Sequence, residues 1–370
     1  MKKISIITAA RSEYGLLKWV IDGVYRDDEL QLQLVVTGAH LSEEHGYTVR
    51  FIEEDGYPIA ARVDMHLASE NRMEIVHSMG QCSQGFAETL AQLNPDMVVV
   101  LGDRYELLPI VSAAIVMNIP VAHISGGDVT EGAIDNQVRN AVTMMSTLHF
   151  PGTKPSYDNI CRMIGSSINV YMTGETNIDS FEHYQLMSRK ELAENLNIDY
   201  GKHWVLVTLH PETLLSLDEN ISMAKDMINA LPSANTEIII TQSNADFGGV
   251  QMNELFMEAA ANNNAIHFIP SLGQMRYLSF MKEVVCVIGN SSSGIVETPH
   301  LGIPTVNIGD RQKGRHLCAN VHTCGRTFEE IRNAIVSSIS HGKYEPDDYF
   351  GDGHASEIIV KQIKEYVYNH

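Results

Sequence analysis

Met97-Val98-Val99-Val100-Leu101-Gly102-Asp103-Arg104 is the stretch that decides the fold of this chain. Five apolar residues that end at a glycine are typical of a strand buried in a parallel sheet. The pattern returns in Pro120-Val121-Ala122-His123-Ile124-Ser125-Gly126-Gly127-Asp128, and a further polar segment follows at Asp135-Asn136-Gln137-Val138-Arg139. In open parallel sheets, ligands bind beyond the carboxyl ends of the strands. The acids, the histidine and the glycines after these runs therefore predict one polar site at a sheet edge.

Short strand-like runs alternate with amphipathic helical stretches along the whole chain. In the first half, the pattern predicts strands at 4–8, 32–37, 98–101, 121–124 and 170–173, and helices at 16–25 and 72–93. In the second half, it predicts strands at 204–208, 237–241, 266–270, 284–288 and 305–308, and helices at 218–231, 251–261 and 328–340. This alternation indicates the α/β class, with parallel sheets covered by helices on both faces.

The length of the chain predicts two domains, because 370 residues exceed one ordinary hydrophobic core. The turn-rich segment Thr173-Gly174-Glu175-Thr176-Asn177 is the expected boundary, which gives domains at 1–173 and 174–354. The amphipathic tail 355–370 is expected to form a last helix that packs back on the first domain.

The bulk composition excludes several classes of function. The net charge of −20 argues against non-specific binding to nucleic acid or to an anionic membrane. No window approaches the ~18 apolar residues of a membrane span. The five cysteines form no CxxC pair, which fits a reducing cytoplasm.

Gly289-Asn290-Ser291-Ser292-Ser293-Gly294-Ile295 predicts an anion site where a strand leads into a helix. Small residues let backbone N–H groups approach a phosphate, and a helix N-terminus favours negative charge. The alternative is an ordinary Ser/Asn cap with a glycine turn. Neither a GxGxxG fingerprint after the first strand nor a Walker motif is present, so a tightly held dinucleotide is not expected.

Three further residues are candidates from their positions after strands. Arg11 and Arg311 suit a diphosphate, because a guanidinium can donate two parallel hydrogen bonds. His210 can serve as an acid or a base near neutral pH. Each could instead be a surface charge or a structural histidine. The chain carries no HExxH motif and no Cys/His cluster, so no metal is expected.

Taken together, these segments resemble the UDP-N-acetylglucosamine 2-epimerase family, and most of all its hydrolysing, sialic-acid-pathway branch. The matching segments follow the family's order over nearly the whole chain: Ala10-Arg11-Ser12-Glu13-Tyr14-Gly15, His45-Gly46-Tyr47-Thr48, Gly102-Asp103-Arg104, Gly126-Gly127-Asp128 to Arg139, His210-Pro211, Asn244-Ala245-Asp246, Gly289-Asn290-Ser291-Ser292, Glu297, and Gly309-Asp310-Arg311-Gln312-Lys313-Gly314-Arg315.

The resemblance implies two Rossmann-like, doubly wound domains in a GT-B arrangement, with the active site in the cleft between them. It also implies a reaction. UDP leaves UDP-N-acetylglucosamine by elimination to 2-acetamidoglucal, and water adds to release N-acetylmannosamine. The chemistry is redox-neutral, so no cofactor is expected. The expected partners are a UDP-sugar and further copies of the chain, in a homodimer or homotetramer.

The resemblance also implies roles for individual residues. Proton transfer falls to Asp103, Asp135 and His210. Contacts to UDP and the rest of the substrate fall to Arg11, Arg139, Asn244, Asp246, Ser271, Asn290, Ser291, Ser292, Glu297 and Arg311.

Two departures from the family pattern bear on the substrate, and one of them is Leu16, where the family often has a lysine. The family usually has a glutamate where this chain has Ser125, so Asp128 or Glu131 is expected to supply a carboxylate from the same loop. A related sugar, UDP-linked diacetylated bacillosamine, is therefore an alternative substrate. A non-hydrolysing epimerase, a GT-B glycosyltransferase and an inactive nucleotide-sugar sensor are the other readings, because fold alone does not decide among them.

Overall fold

The chain folds into two units, each built around its own parallel sheet. A computed structural model describes residues 1–44, 46–67, 72–129, 134–232, 234–244 and 246–370. The N-terminal unit contains residues 1–183 and 351–370, and the C-terminal unit contains residues 184–350. The division falls ten residues after the boundary expected from sequence at 173/174.

The N-terminal unit is a six-stranded parallel sheet with helices on both faces. Its strands lie in the order β3-β2-β1-β4-β5-β6. In chain order its elements are β1 (Lys2–Thr8), α1 (Arg11–Arg26), β2 (Leu30–Thr37), α2 (Val49–Glu54), β3 (Ile59–Val63), α3 (Arg72–Leu93), β4 (Met97–Leu101), α4 (Leu107–Val116), β5 (Val121–Ile124), α5 (Asp135–Met145), β6 (Leu148–Phe150), α6 (Lys154–Ile164) and α7 (Asp179–His183).

The C-terminal unit repeats this architecture. Its strands lie in the order β12-β11-β10-β7-β8-β9, and all pairs are parallel. Its elements are α8 (Arg189–Leu196), β7 (His203–Thr208), α9 (Leu217–Ala230), β8 (Thr236–Thr241), α10 (Gly249–Asn262), β9 (Ile266–Ile269), α11 (Gly273–Glu283), β10 (Cys286–Gly289), α12 (Ser293–Leu301), β11 (Thr305–Ile308), β12 (Val321–Cys324) and α13 (Phe328–His341).

The last helix, α14 (Ala355–Asn369), returns to the N-terminal unit, where the sequence analysis expects it. Ile359, Ile363 and Val367 lie in the same hydrophobic core as β1 and β2. The buried Asp179 carboxylate accepts hydrogen bonds from the Ala355 and Ser356 backbone N–H groups, at 3.0 and 2.6 Å. Such bonds satisfy N–H groups that have no partner inside a helix, so this carboxylate caps α14.

The strand predictions are wrong at one place and incomplete at three. The segment 170–173 forms no strand, because only Val170 makes a single parallel bridge to His149. The sequence analysis did not predict β3, β6 and β12, which are edge strands of the two sheets. β3 and β12 carry exposed residues, because an edge strand is paired on one side only, and β6 is only three residues long.

No helix in the described part of the chain is long and apolar enough to cross a membrane.

Candidate functional site

The first group of candidate residues lies at the carboxyl ends of β4 and β5. Asp103 comes two residues after β4, and its carboxylate pairs with the guanidinium of Arg139 on α5. Arg139 is 5% exposed and also donates to the Asp128 carbonyl oxygen at 2.8 Å. One buried arginine therefore holds the loop after β4, the loop after β5 and the start of α5 together.

Asp135 opens α5 and belongs to the same group. Burial raises the pKa of Asp135 above its ordinary value, and the negative charge of Asp103 adds to the effect. A carboxyl group whose pKa is raised by burial and by a neighbouring negative charge is common where an enzyme transfers protons. Asp103 and Asp135 are therefore brought together in the structure as the sequence analysis expects.

Buried polar residues fix the sheet edge beneath these acids. The His123 Nε2–H donates to the Gly102 carbonyl oxygen at 2.8 Å, because a carbonyl oxygen can only accept. Its Nδ1 lies 3.2 Å from the Thr143 hydroxyl. Complete burial lowers the pKa of His123 to about 4, so the ring is neutral at neutral pH. His123 supports the site and carries no charge in it.

Asp128 and Glu131 are the two acids expected to replace the missing glutamate, and the structure describes only Asp128. The Asp128 carboxylate accepts a hydrogen bond from the Ser156 hydroxyl on α6. Because this bond holds the Asp128 carboxylate against α6, the carboxylate is not free to point away from the loop at the sheet edge. Glu131 lies outside the described residues.

Ser125, the residue that replaces the glutamate, has an unusual backbone. Its φ is +57°, which is uncommon for a residue with a side chain. Its hydroxyl donates to Oε2 of Glu175 at 3.5 Å. The sequence analysis missed Glu175, because it treated residues 173–177 only as a domain boundary.

A second missed group surrounds Arg104 in the N-terminal unit. Arg104 Nη2 lies 2.7 Å from the buried Glu106 carboxylate, and Nε lies 3.5 Å from Glu13. Glu13 accepts a hydrogen bond from the Ala9 N–H at 2.8 Å. The helix α1 begins at Arg11 and not at the expected residue 16. Burial raises the pKa of Glu13 to about 7. Arg11 itself is exposed, with its guanidinium 4.1 Å from the ring centre of Phe51.

In the C-terminal unit, His210 and Asn290 join the ends of β7 and β10. The His210 N–H donates to Asn290 Oδ1, and Asn290 Nδ2 donates to the His210 carbonyl oxygen, both at 2.8 Å. Gly289 has a φ of +139°, and a Cβ there would lie 2.0 Å from the Thr208 carbonyl oxygen. Only glycine therefore allows the two strand ends to approach this closely.

The protonation of His210 follows from its neighbours. Nδ1 accepts a hydrogen bond from the Asn244 N–H at 3.1 Å, so the proton of the neutral ring is on Nε2. Burial, and after it the positive charge of Arg311, lowers the pKa of His210 to about 4, while the negative charge of Asp246 opposes the shift. At neutral pH, His210 is a neutral ring whose Nε2–H can donate.

Three other expected residues lie around this pair. Asn244 Nδ2 donates to Asp246 at 2.5 Å, and Arg311 Nη1 donates to the Asn290 carbonyl oxygen at 3.1 Å. His210, Asn244, Asp246, Asn290 and Arg311 thus form one connected group at the carboxyl ends of β7, β8, β10 and β11.

The serines precede α12 as the sequence predicts. Ser291 Oγ accepts hydrogen bonds from the N–H and the hydroxyl of Ser293, at 3.4 and 3.1 Å. Ser292 is exposed and makes no side-chain cap to the helix. Glu297 lies one turn further along α12. Burial raises the pKa of Tyr277 to about 12, and the negative charge of Glu297 adds to this shift.

Ser271 is the expected residue with the least support. It is exposed after β9, and its hydroxyl accepts a local hydrogen bond from the Gly273 N–H at 3.2 Å. Within the described part of the chain, its hydroxyl makes no hydrogen bond to the group around His210, although it lies at the same sheet edge.

An ion-pair network next to His210 was also missed. The buried Glu212 carboxylate binds Arg326 through two bonds of 3.0 and 2.7 Å, and Arg326 also binds Asp310 at 2.7 Å. A Cβ at Gly309 would lie 1.9 Å from Glu212 Oε1. Glu212 and Arg326 are 114 residues apart in the sequence, so no local pattern indicates this pair.

The described residues contain no group of three or more His, Cys, Asp or Glu side chains that could hold a metal ion.

Comparison with known proteins places this chain among sugar-nucleotide epimerases. The family profile described as UDP-N-acetylglucosamine 2-epimerase matches residues 23–364. The chain is similar to the GDP/UDP-N,N'-diacetylbacillosamine 2-epimerase (hydrolyzing) of Campylobacter jejuni, with 35% identity over 86% of this chain and 83% of the relative. It is also similar to the UDP-N,N'-diacetylbacillosamine 2-epimerase (hydrolyzing) of Legionella pneumophila, with 29% identity over 98% and 96% of the two chains.

Solved structures support the fold. The UDP-GlcNAc 2-epimerase from Neisseria meningitidis, crystallised with UDP-GlcNAc, is similar with a TM-score of 0.76, 19% identity, and coverage of 99% of this chain and 100% of that chain. The galactosyltransferase WaaB is similar with a TM-score of 0.56, 13% identity, and coverage of 98% and 99%. With two parallel six-stranded sheets in the chain, these neighbours confirm the predicted α/β, GT-B-like fold class.

Proposed function

Because this chain belongs to the UDP-N-acetylglucosamine 2-epimerase family, we propose that it is a hydrolysing 2-epimerase whose substrate is UDP-N,N'-diacetylbacillosamine. The observation that supports this substrate is that two relatives are described as hydrolysing 2-epimerases of diacetylbacillosamine nucleotides. They align with most of this chain, at 35% and 29% identity. The sequence analysis placed UDP-N-acetylglucosamine first and the diacetylated sugar second. The relatives favour the reverse order, and the sialic-acid branch is not supported over the diacetylbacillosamine enzymes.

The reaction removes a proton from C2 of the sugar, expels UDP from C1, and then adds water across the double bond. We assign proton transfer at C2 to Asp103 and Asp135, which act together as one acid–base group. Arg139 orients the Asp103 carboxylate, and the raised pKa of Asp135 suits a group that holds and returns a proton. His210 contributes a neutral Nε2–H donor in this assignment, because its pKa is about 4.

We assign the UDP moiety to the C-terminal unit. Arg311 supplies positive charge, and the segment Asn290-Ser291-Ser292 precedes the N-terminus of α12, where anions are favoured. Glu297, an acid on the same helix, is the proposed partner of the ribose hydroxyls. Asn244, Asp246 and Ser271 are proposed as further substrate contacts, and Arg11 as a contact of the diphosphate.

The second candidate substrate is UDP-N-acetylglucosamine, which the family description names. The two sugars differ at C4 and C6, where the bacillosamine derivative carries an acetamido group and a methyl group. In a pocket that hydrogen-bonds the C4 acetamido group, the polar groups of the protein would lose their partners when UDP-N-acetylglucosamine is bound. This loss weakens binding of the transition state.

Steady-state kinetics on both UDP-sugars tests the proposal through the release of UDP. We expect kcat/KM to be at least about tenfold higher for UDP-N,N'-diacetylbacillosamine, within the ~10–200-fold range that a small group in a pocket provides. An equal or higher kcat/KM for UDP-N-acetylglucosamine would favour the second candidate. UDP release from neither sugar would reject both.

A further inference from the structure

The carboxylate of Glu175 lies at the edge of the N-terminal sheet where the acids of the site lie. Leu101 pairs with Ile124 and Ile124 pairs with Phe150, so the residues after β4, β5 and β6 are in register. Adjacent strands are about 4.8 Å apart. Asp103 follows β4, and Ser125 follows the neighbouring β5 on the same edge.

Ser125 and Gly152 together define the place of this carboxylate. The Ser125 hydroxyl donates to Oε2 of Glu175 at 3.5 Å. Gly152 follows β6, and a Cβ at this position would lie 2.1 Å from the other carboxylate oxygen, Oε1. The glycine therefore leaves the space that Glu175 occupies, and the serine contacts the carboxylate from the end of the neighbouring strand, β5.

The backbone of Ser125 indicates that this contact has a function. Its φ of +57° is in the left-handed region, which residues other than glycine rarely adopt. The glycines that follow it at 126 and 127 would adopt such a conformation more readily. Residues held in this region often lie at sites where the conformation serves a reaction.

Inversion at C2 requires two separate proton-transfer groups. In the elimination, the C2–H and C1–O bonds break, the C1=C2 bond forms, a base takes the proton, and UDP leaves with the electron pair. In the addition, the water oxygen bonds to C1, its proton leaves to a base, and an acid delivers a proton to C2 on the opposite face. One fixed carboxylate cannot serve both faces of C2.

We infer that Glu175 is a catalytic carboxylate that carries one of the two proton transfers at C2, with the acids around Asp103 carrying the other. This inference rests on the proposed epimerase function. Of the two acids first expected to replace the glutamate, Asp128 is bound to the Ser156 hydroxyl behind the loop. Glu175 reaches the same sheet edge from residues 173–177, and Ser125 holds it there.

Two variants test this role by different means. Glu175→Gln keeps the size of the side chain and removes the acid. Gly152→Ala keeps the acid and displaces it, because the new methyl group would overlap Oε1 and the flexible end of Glu175 can move away. Asp158→Asn, on the exposed face of α6, is the control.

We expect kcat to fall in both variants, because each removes or displaces an acid–base group. The expected loss is about 10²-fold or more for Glu175→Gln and at least about tenfold for Gly152→Ala. The melting temperature and the Kd for UDP should match those of the wild type and of Asp158→Asn. The limb of the kcat/KM pH profile that Glu175 contributes should be missing in Glu175→Gln, which a purely structural role would not cause.

The products separate this inference from the proposed function. A variant that releases UDP and accumulates the unsaturated sugar has lost the proton delivery to C2, and one that releases no UDP has lost the proton removal; either supports the inference. More than half of the wild-type kcat in Glu175→Gln overturns it while the epimerase function stands. A wild-type protein that acts on neither UDP-sugar overturns the function and this inference together.

Discussion

At the scale of single residues, burial decides which side chains can carry charge. The rings of His123 and His210 are neutral at neutral pH because burial lowers the pKa of each to about 4. Glu13 shows the opposite case, since burial raises its pKa to about 7 and favours the proton that most glutamates release.

Glu13 makes stability depend on pH in a defined direction. Its pKa rises from 4.5 to about 7 on folding, so the folded protein holds a proton that the unfolded chain releases. This contribution is fully present below pH ~4.5 and is lost as the pH rises through ~7. Glu13→Gln should therefore raise the unfolding free energy more at pH 8 than at pH 5, by on the order of 1–3 kcal/mol.

Urea unfolding of Glu13→Gln and of wild type at the two pH values measures this difference. The exposed Glu54→Gln serves as the control and should show the same effect at both pH values. An effect of Glu13→Gln that is independent of pH would contradict the account of this residue.

His210 leads to a prediction for activity. The pKa of His210 in the free protein is about 4, because burial and then Arg311 disfavour the imidazolium. The kcat/KM profile, which reports the free enzyme, should show no limb near pH 6.5 that depends on this histidine. A limb near pH 6.5 that disappears in His210→Asn would show that the ring is charged in the working range.

At the scale of elements, the N-termini of two helices, α12 and α14, are important for ligand binding and for stability. The N-terminus of α12 follows β10 and presents Ser291 and Ser292, next to Arg311 from the loop after β11. The N-terminus of α14 is held by the carboxylate of Asp179, which is buried at the start of α7.

The α12 terminus should bind UDP more than it assists the chemistry. Arg311→Ala and the Ser291→Ala/Ser292→Ala double variant should raise KM and the Kd for UDP, with a smaller change in kcat, since the diphosphate is held before and during the reaction. Loss of one charged hydrogen bond costs about 1.5–3 kcal/mol, or about 10–150-fold in affinity. If calorimetry finds unchanged UDP affinity in both variants, the diphosphate does not bind at the N-terminus of α12.

Asp179 should matter for stability. Asp179→Ala leaves the first N–H groups of α14 without their carboxylate, and bonds to a charged group contribute about 1.5–3 kcal/mol. We expect a lower melting temperature by calorimetry, whereas Lys361→Ala on the exposed side of α14 should change it little. Equal melting temperatures for the two variants would show that the cap contributes nothing.

At the scale of the whole molecule, the sequence predicts the interior better than the edges. β5 and β11 have the expected bounds because each is paired on both sides and all of its residues are buried. β3 and β12 contain Arg62 and His322 and lie at the sheet edges, where one side of the strand is unpaired. Periodicity does not find such strands.

The candidate site shows the same limit. Asp103 and His210 are found from sequence because each directly follows a buried strand. The hydrogen-bond partners of Asp128 and Glu212 cannot be predicted in this way, because Ser156 and Arg326 lie 28 and 114 residues away in the sequence. Glu175 was overlooked because its contact with Ser125 spans 50 residues of chain.

The central claim is that the protein inverts C2 of a UDP-2-acetamido sugar and hydrolyses it. Proton NMR of the wild-type protein in D2O with UDP-N,N'-diacetylbacillosamine tests this most directly. The account predicts free UDP and a free sugar of inverted C2 configuration that carries deuterium at C2, because the proton is lost and replaced from solvent. A product that keeps UDP, or a released sugar that keeps its original configuration and its C2 proton, would contradict it.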